Sequence, residues 1–308
     1  MKLGFLTGIM GDIPIEEKIE WAHQIGFEAL EVSCWPKDND RDYSGSDIDV
    51  VNLDEAYALR LNEHLGKNNI EITTLGYYDN NLDNDLDKRK KYNNHLLKVI
   101  DAASLLRIKN VGTFIGRDMT LSIEDNFPLM EKVFTPILEY AKAKNINIII
   151  ENCSMPGWHR SGWAGTISYS PELWDEMFAR LPFDNFGLNY DPSHLLWLGV
   201  DYIQALKDYK NKIFAVHAKD TEIFPEKLKY YSILGKQLRR EHCWDFGFWR
   251  HRMPGKGNID WDKFIGALKE IGYDDELVIE HEDLEYQDTL ELVKEGLDLG
   301  YKFLKNKI

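Results

Sequence analysis

A single (β/α)₈ barrel with long loops at the carboxyl ends of its strands is the fold predicted by this 308-residue chain, and three observations predict it. Short β-type apolar runs alternate with helix-period segments eight times along the chain. Four of those runs stop on a residue able to bind a divalent cation: Asn147 to Glu151, Phe186 to Asp191, Ile213 to His217, and Leu277 to Glu280. The long insertions all follow strands, at the end where such barrels carry their chemistry.

Taken in order, Leu3 to Thr7 is a short apolar strand, and Ile15, Ile19, Ala22 and Ile25 recur behind it at helical spacing. Gly26 stops that helix, and Ala29 to Ser33 is the second strand. Leu53 to Leu65 is helical, and Ile70 to Leu75 is a β-rich third run ending in Gly76-Tyr77-Tyr78. A polar stretch, Asp79 to Lys91, precedes a helix from about Tyr92 to Leu106. The fourth strand is Asn110 to Ile115, and a helix around Phe127 to Lys144 leads into the fifth. Pro171 to Arg180 opens with a proline, which helices tolerate in the first turn, and precedes the sixth strand. Tyr202 to Tyr209 precedes the seventh, and Trp261 to Ile271, stopped by Gly272, precedes the eighth. Leu290 to Leu304 is a closing amphipathic helix. Barrels of this type occupy roughly 250 residues plus insertions. No linker or composition break marks a second domain, so residues 1–308 are expected to form one unit. A doubly wound sheet is the alternative, but no G-x-G-x-x-G follows any strand.

The insertions span roughly 36–52, 76–90, 152–169 and 218–258, and they are rich in rings: Trp35, Tyr77, Tyr78, Trp158, Trp163, Trp244, Phe246, Phe248 and Trp249. Flat aromatic faces suit the apolar faces of sugar rings; the plainer reading is that they hold long loops down. Lys plus Arg number 37 and Asp plus Glu 52, a net charge of −15. A surface this acidic repels phosphate backbones and anionic lipid, so neither nucleic acid nor membrane is expected as a partner. No apolar stretch approaches the roughly 20 residues that span a bilayer. Cys34, Cys153 and Cys243 are odd in number, far apart and without C-x-x-C, and Met1 to Leu6 has no signal-peptide layout. A cytoplasmic protein is the expectation.

A carboxylate or imidazole at the end of a buried strand has lost most of its water and needs an opposite charge or a metal. Strand side chains alternate faces, so Asn189 shares a face with Asp191, His217 with Lys219, and Glu280 with Glu282. Glu151, Asp191, His217 and Glu280 would then form one O,O,N,O set at the barrel mouth. Such a set suits one divalent ion, Mn²⁺ first, with Mg²⁺, Co²⁺ or Zn²⁺ as alternatives. The structural alternative is a salt bridge from each to a loop Arg or Lys. Pro192 ends the sixth strand and brings His194 near Asp191, for substrate contact, metal ligation or helix capping. Lys219 either balances the carboxylates or polarises a substrate oxygen.

These motifs carry a resemblance. Ile150-Glu151-Asn152, Asn189 to His194, Val216 to Asp220, Pro254 to Trp261 and Ile279-Glu280-His281 occur in the order found in the sugar phosphate isomerase/epimerase superfamily. This chain resembles those xylose isomerase-like barrels, which include ketose 3-epimerases, inosose dehydratases and endonuclease IV, along essentially its whole length. The resemblance implies that Glu151, Asp191, His217 and Glu280 hold the metal and that Glu151 and Glu280 serve as acid and base. It implies substrate contact at His194, and at Arg250 or Arg252. The epimerases' further Glu beyond the fifth strand is replaced here by Trp158, His159 and Arg160. We therefore expect substrate contacts at His194, Lys219, His159, Arg252 and Trp35.

The expected function is a metal-dependent sugar isomerase or epimerase, working by proton abstraction beside a carbonyl through a metal-bound enediolate. The alternative is a dehydratase or lyase that expels a β-substituent from an inosose or 3-keto-glycoside on the same site. An isomerase with two metals would need further carboxylates, for which Asp220 and Glu282 are the candidates. An abasic-site endonuclease would need His ligands after strands three and four, where Leu75-Gly76-Tyr77 and Phe114-Ile115-Gly116 stand instead. A non-enzymatic sugar-binding barrel is the remaining reading. The expected partner is a small sugar-like molecule, with a homo-oligomer as the assembly. His281, of opposite parity to Glu280, should face the helices, while His251 lies on a loop above the mouth.

Overall fold

The computed structural model describes residues 1–37, 45–158, 164–241 and 244–308. Among the described residues there are ten strands: β1 Lys2–Leu6, β2 Ala29–Ser33, β3 Glu71–Gly76, β4 Asn110–Thr113, β5 Asn147–Glu151, β6 Phe186–Tyr190, β7 Ile213–Ala218, β8 Asp220–Ile223, β9 Trp249–Arg252 and β10 Glu276–Ile279. Eight of them close a barrel in the order β1-β10-β7-β6-β5-β4-β3-β2. Each pairing around it is parallel, and β1 completes the ring by pairing with both β2 and β10. The fold is therefore the (β/α)₈ barrel that the periodicity implies.

The helices are α1 Ile15–Ile25, α2 Glu55–Asn68, α3 Leu86–Leu106, α4 Ile123–Ala143, α5 Pro171–Arg180, α6 Pro192–Leu198, α7 Tyr202–Asp208, α8 Pro225–Tyr231, α9 Trp261–Glu270 and α10 Leu290–Lys305. Helix α3 starts six residues earlier than the apolar pattern indicates, inside the polar stretch after β3. Its first turn is capped by Asp85, whose carboxylate accepts from the Asp87 and Lys88 amides. Helix α4 starts early for the same reason, with Ser122 accepting from the Asp125 amide. It also accommodates Pro128 and Pro136. An interior proline costs about 3 kcal/mol. Helix α4 nevertheless buries Phe127, Met130, Phe134, Ile137 and Leu138, each contributing about 1.5–3 kcal/mol, so packing wins.

The insertion after β7 forms an antiparallel ribbon, β8 with β9, that period-two reading of the sequence does not reveal. Its rings hold it down. Trp249 stacks between Trp197, at 4.5 Å, and Phe246, at 4.9 Å, and these rings with Phe248 are buried together. Phe246, Phe248 and Trp249 thus serve as loop anchors. Asp220 has a similar duty: its carboxylate accepts from the amides of Thr221, Gly255 and Ile259 and from the Trp261 indole. It organises the Pro-Gly-Lys-Gly turn, leaving no oxygen to offer a second metal. A Cβ on Gly257 would stand 2.3 Å from that carboxylate.

At the opposite end of the barrel, Glu276 opens β10 at 5% exposure, and its Oε1 has no hydrogen-bond partner among the described residues. Burial pushes its carboxyl up to about 7. Between the ordinary carboxylate value and about 7, the folded chain keeps a proton that the unfolded chain releases. Stability therefore falls as pH rises through that window. Above it, the buried charge costs on the order of 3 kcal/mol. Glu276→Gln is expected to be more stable than wild type at pH 8 and nearly unchanged at pH 4 in urea melts. Equal effects at both pH values would show that the charge is not the cause.

Candidate metal centre

Four barrel strands deliver the centre. Glu151 is the last residue of β5, and Asp191 follows β6 directly. His217 lies near the end of β7, and Glu280 follows β10. One ligand atom from each can be chosen so that all lie within 4.8 Å of one another. Glu151, Asp191 and His217 are no more than 2% exposed, and the Glu280 side chain is 12% exposed.

Local chemistry aims each group. Pro192 begins α6, and Asp191 caps it: Oδ1 accepts from the Ser193 amide at 2.7 Å. Oδ2 turns to the centre, where its nearest charges are Lys219 Nζ at 3.1 Å and His194 Nε2 at 3.4 Å. Asn152 clamps the Asp191 backbone from both sides, accepting from its amide at 2.8 Å and donating to its carbonyl at 2.9 Å. His217 Nδ1 also lacks a directed hydrogen bond. It lies 3.1 Å from Glu280 Oε2 and 3.7 Å from Glu151 Oε1. A buried imidazole nitrogen without a directed hydrogen bond, facing carboxylates from two further strands, forms an arrangement that a divalent ion completes. These four residues fit a metal in donor type and in clustering.

Lys219 brings a positive charge into the cluster. Its Nζ lies 2.6 Å from Glu280, 3.0 Å from Glu282, 3.1 Å from Asp191 and 3.8 Å from Glu151. His194 Nε2 is 3.0 Å from the same ammonium and 3.3 Å from Glu151 Oε1. Burial alone would raise the Glu151 carboxyl, but Lys219, His194 and His217 together hold it at about 2. Burial and Glu151 push Glu280 up, while Lys219 and His217 bring it to about 2. Burial opposes the charge on Lys219, yet the surrounding carboxylates, Glu280 first, raise its pKa well above the usual lysine value.

Residues 19–306 match the model of the xylose isomerase-like TIM barrel family. The chain belongs to that family. It is 27% identical to uncharacterized protein YfiH of Bacillus subtilis (strain 168), covering 92% of this chain and 93% of that protein. It is 29% identical to an inosose isomerase of Bacillus velezensis over 53% of this chain and 51% of that protein. A crystal structure of the IOLI protein with a bound zinc atom superimposes with a TM-score of 0.72 at 20% identity, covering 100% of this chain and 99% of that one. That last likeness concerns the fold.

The remaining expected site residues are distributed unevenly around the centre. His194 and Lys219 are part of it, as described. Trp35 is 1% exposed and packs against Tyr77 and Tyr78, 6.2 and 6.0 Å between ring centroids. Arg252 is held by Glu285 at 2.8 Å and Asp283 at 3.3 Å. His159 lies outside the described residues, as do Trp163, His242 and Cys243. His281 packs against α10, where a Cβ on Gly296 would come within 2.8 Å of its Nε2. His251 reaches the centre's rim, 3.4 Å from Glu282.

Residues not identified from the sequence lie behind His217. Glu31 of β2 is fully buried, its Oε2 2.9 Å from His217 Nε2. Tyr78 donates its hydroxyl proton to Glu31, and Asn189 donates to Tyr78 at 2.9 Å. One signal was available: Glu31 is a charge inside Ala29–Ser33, a strand otherwise without one, and a buried carboxylate requires a partner.

Proposed function

We propose that this protein is a metal-dependent isomerase or epimerase of a sugar or sugar-derived ketone, with Glu151 and Glu280 exchanging a carbon-bound proton. The observation that carries the reading is the convergence of Glu151, Asp191, His217 and Glu280, with Asp191 Oδ2 and His217 Nδ1 turned toward the same point. Those four residues would hold one divalent ion, Mn²⁺ in our reading, though a zinc-bound barrel of this fold exists. When bound, the ion supplies Lewis-acid polarisation of a carbonyl oxygen. Glu151 and Glu280 approach the centre from β5 and β10, on separate sides of the barrel. Inversion needs that placement: Glu151 removes the proton, and Glu280, taking a proton from the Lys219 ammonium 2.6 Å away, returns one to the opposite face. His194 and Lys219 orient substrate oxygens, Arg252 and Trp35 support the segments around the centre, and His159 is proposed as a further substrate contact. The inosose isomerase among the relatives supports a polyol-like substrate.

Elimination is the second reading, favoured by one observation. Lys219 and His194 form a contiguous donor pair, 3.0 Å apart, next to Glu280 and Glu151. That pair could protonate a departing hydroxyl or alkoxide after the same proton abstraction.

Proton NMR of ketoses, inososes and 3-keto-glycosides in D₂O with purified protein and Mn²⁺ tests both readings. Deuterium beside the carbonyl with a new epimer is the expected result. An enone or released aglycone would select elimination, and neither outcome across the panel would overturn the catalytic reading.

No helix among the described residues is long and apolar enough to cross a membrane. A cytoplasmic location is proposed from the free, buried Cys34 and Cys153. A homo-oligomer is proposed because Tyr230, Ile233 and Leu238 are 83%, 75% and 79% exposed within one segment. Lys227, Lys229, Lys236, Arg239 and Arg240 lie in the same segment, and the rest of the chain is acidic enough to receive it in a second copy. A monomer by light scattering at low salt would remove that proposal.

A further inference from the structure

We propose that Glu31 is a positioning residue that fixes the proton on His217 Nε2 and thereby presents Nδ1 to the metal; the inference rests on the metal reading above. An imidazole that ligates a cation must be neutral, with its lone pair on the ligating nitrogen and its proton on the other. His217 Nδ1 faces Glu280 and Glu151, and Nε2 faces Glu31 Oε2 at 2.9 Å. A carboxylate can only accept. It therefore demands a proton on Nε2 and leaves the Nδ1 lone pair for the centre.

A competing neighbour exists. Asn189 Nδ2 lies 2.8 Å from the same Nε2, and an amide donor would favour the opposite tautomer. Asn189 Nδ2 has another acceptor in the Tyr78 hydroxyl, at 2.9 Å. A charge-assisted hydrogen bond is about twice as strong as a neutral one. Glu31 prevails, and Asn189 supports it through Tyr78.

Backbone geometry independently marks this assembly. Among the described residues, the barrel ladders shift register at two places: between Leu30 and Glu31 on β2, and between Leu188 and Asn189 on β6. Such irregularities re-aim a side chain at a local cost in pairing. Both fall on the residues that approach His217 Nε2. Two glycines also clear space for the carboxylate and its phenol. A Cβ on Gly76 would stand 2.8 Å from Glu31 Oε1, and one on Gly112 would stand 2.3 Å from the Tyr78 hydroxyl. Glu31 is fully buried and no Lys or Arg pairs with it among the described residues. Two donors meet its carboxylate, His217 Nε2 and the Tyr78 hydroxyl.

Titration of metal-free protein with Co²⁺, followed by calorimetry, reads the effect directly. Glu31→Ala is expected to weaken Co²⁺ binding roughly 10–100-fold, and the isosteric Glu31→Gln to weaken it less. In Co²⁺-loaded wild-type protein, the paramagnetically shifted imidazole N–H of His217 should be visible in H₂O and slow to exchange. In Glu31→Gln it should broaden through faster exchange. A purely structural role would lower the melting temperature and leave Co²⁺ affinity and this resonance unchanged, which would overturn the proposal. Should the alanine variant fail to fold, the wild-type resonance decides, and its absence overturns the assignment. Wild-type protein that binds no Co²⁺ would remove the metal reading itself; binding that ignores Glu31 would remove only this inference.

Discussion

Replacing Glu151 or Glu280 with Gln is expected to lower turnover roughly 10²–10⁴-fold, the usual worth of a positioned acid or base. Gln matches Glu in size but cannot accept the carbon-bound proton. The loss should appear in kcat with ligand binding largely retained, because Lys219 and His194 are untouched. Each carboxylate is also a proposed metal ligand, so the variants must be assayed at saturating metal with the bound metal measured. In the protein alone, burial opposes ionisation of both groups, and Lys219 with the neighbouring imidazoles favours it. Wild-type kcat in either metal-loaded variant would remove that residue from proton transfer. Full binding with no turnover in the wild type would favour the sugar-binding barrel instead.

Lys219→Met should destabilise the metal-free protein by about 3–5 kcal/mol, the cost of removing one partner from a buried ionic cluster. Its ammonium is 1% exposed and lies within 4 Å of Glu151, Asp191, Glu280 and Glu282. Deleting it leaves four carboxylates facing one another around His217 and His194. Saturating Mn²⁺ or Zn²⁺ should recover most of the loss, because a divalent ion supplies the same compensation at the same place. Denaturant melts with and without metal check this. The metal-induced gain should be larger in the variant than in wild type. A variant as stable as wild type without metal would mean that Lys219 serves substrate alone.

Much of the centre was legible because its signals are local. Glu151, Asp191, His217 and Glu280 each end an apolar run, and period-two parity placed Lys219 and Glu282 on the same faces as their neighbours. Proline after Asp191 signalled the turn that makes Asp191 a helix cap with one oxygen to spare. The packing of His281 on α10 followed from parity in the same way.

Contacts made across the barrel carried no such signal. Glu31 meets His217 across 186 positions of sequence, and Tyr78 and Asn189 join them across 111. Asp220 and Glu282 look alike in the sequence as spare carboxylates, yet Asp220 is consumed by the turn at Gly255–Ile259 and Glu282 faces Lys219 and His251. Trp249 and Phe246 read equally well as sugar platforms and as anchors until their mutual stacking is seen.

The sequence by itself determined the barrel, the ends of its strands and the four polar residues that stand there, since hydrophobic periodicity and chain breakers act between residues a few positions apart. Tertiary structure alone decided which nitrogen of His217 faces the centre, which carboxylates remain available and which rings are consumed by packing. Those choices depend on hydrogen bonds and ion pairs between strands far apart in the chain, brought together only when the barrel closes.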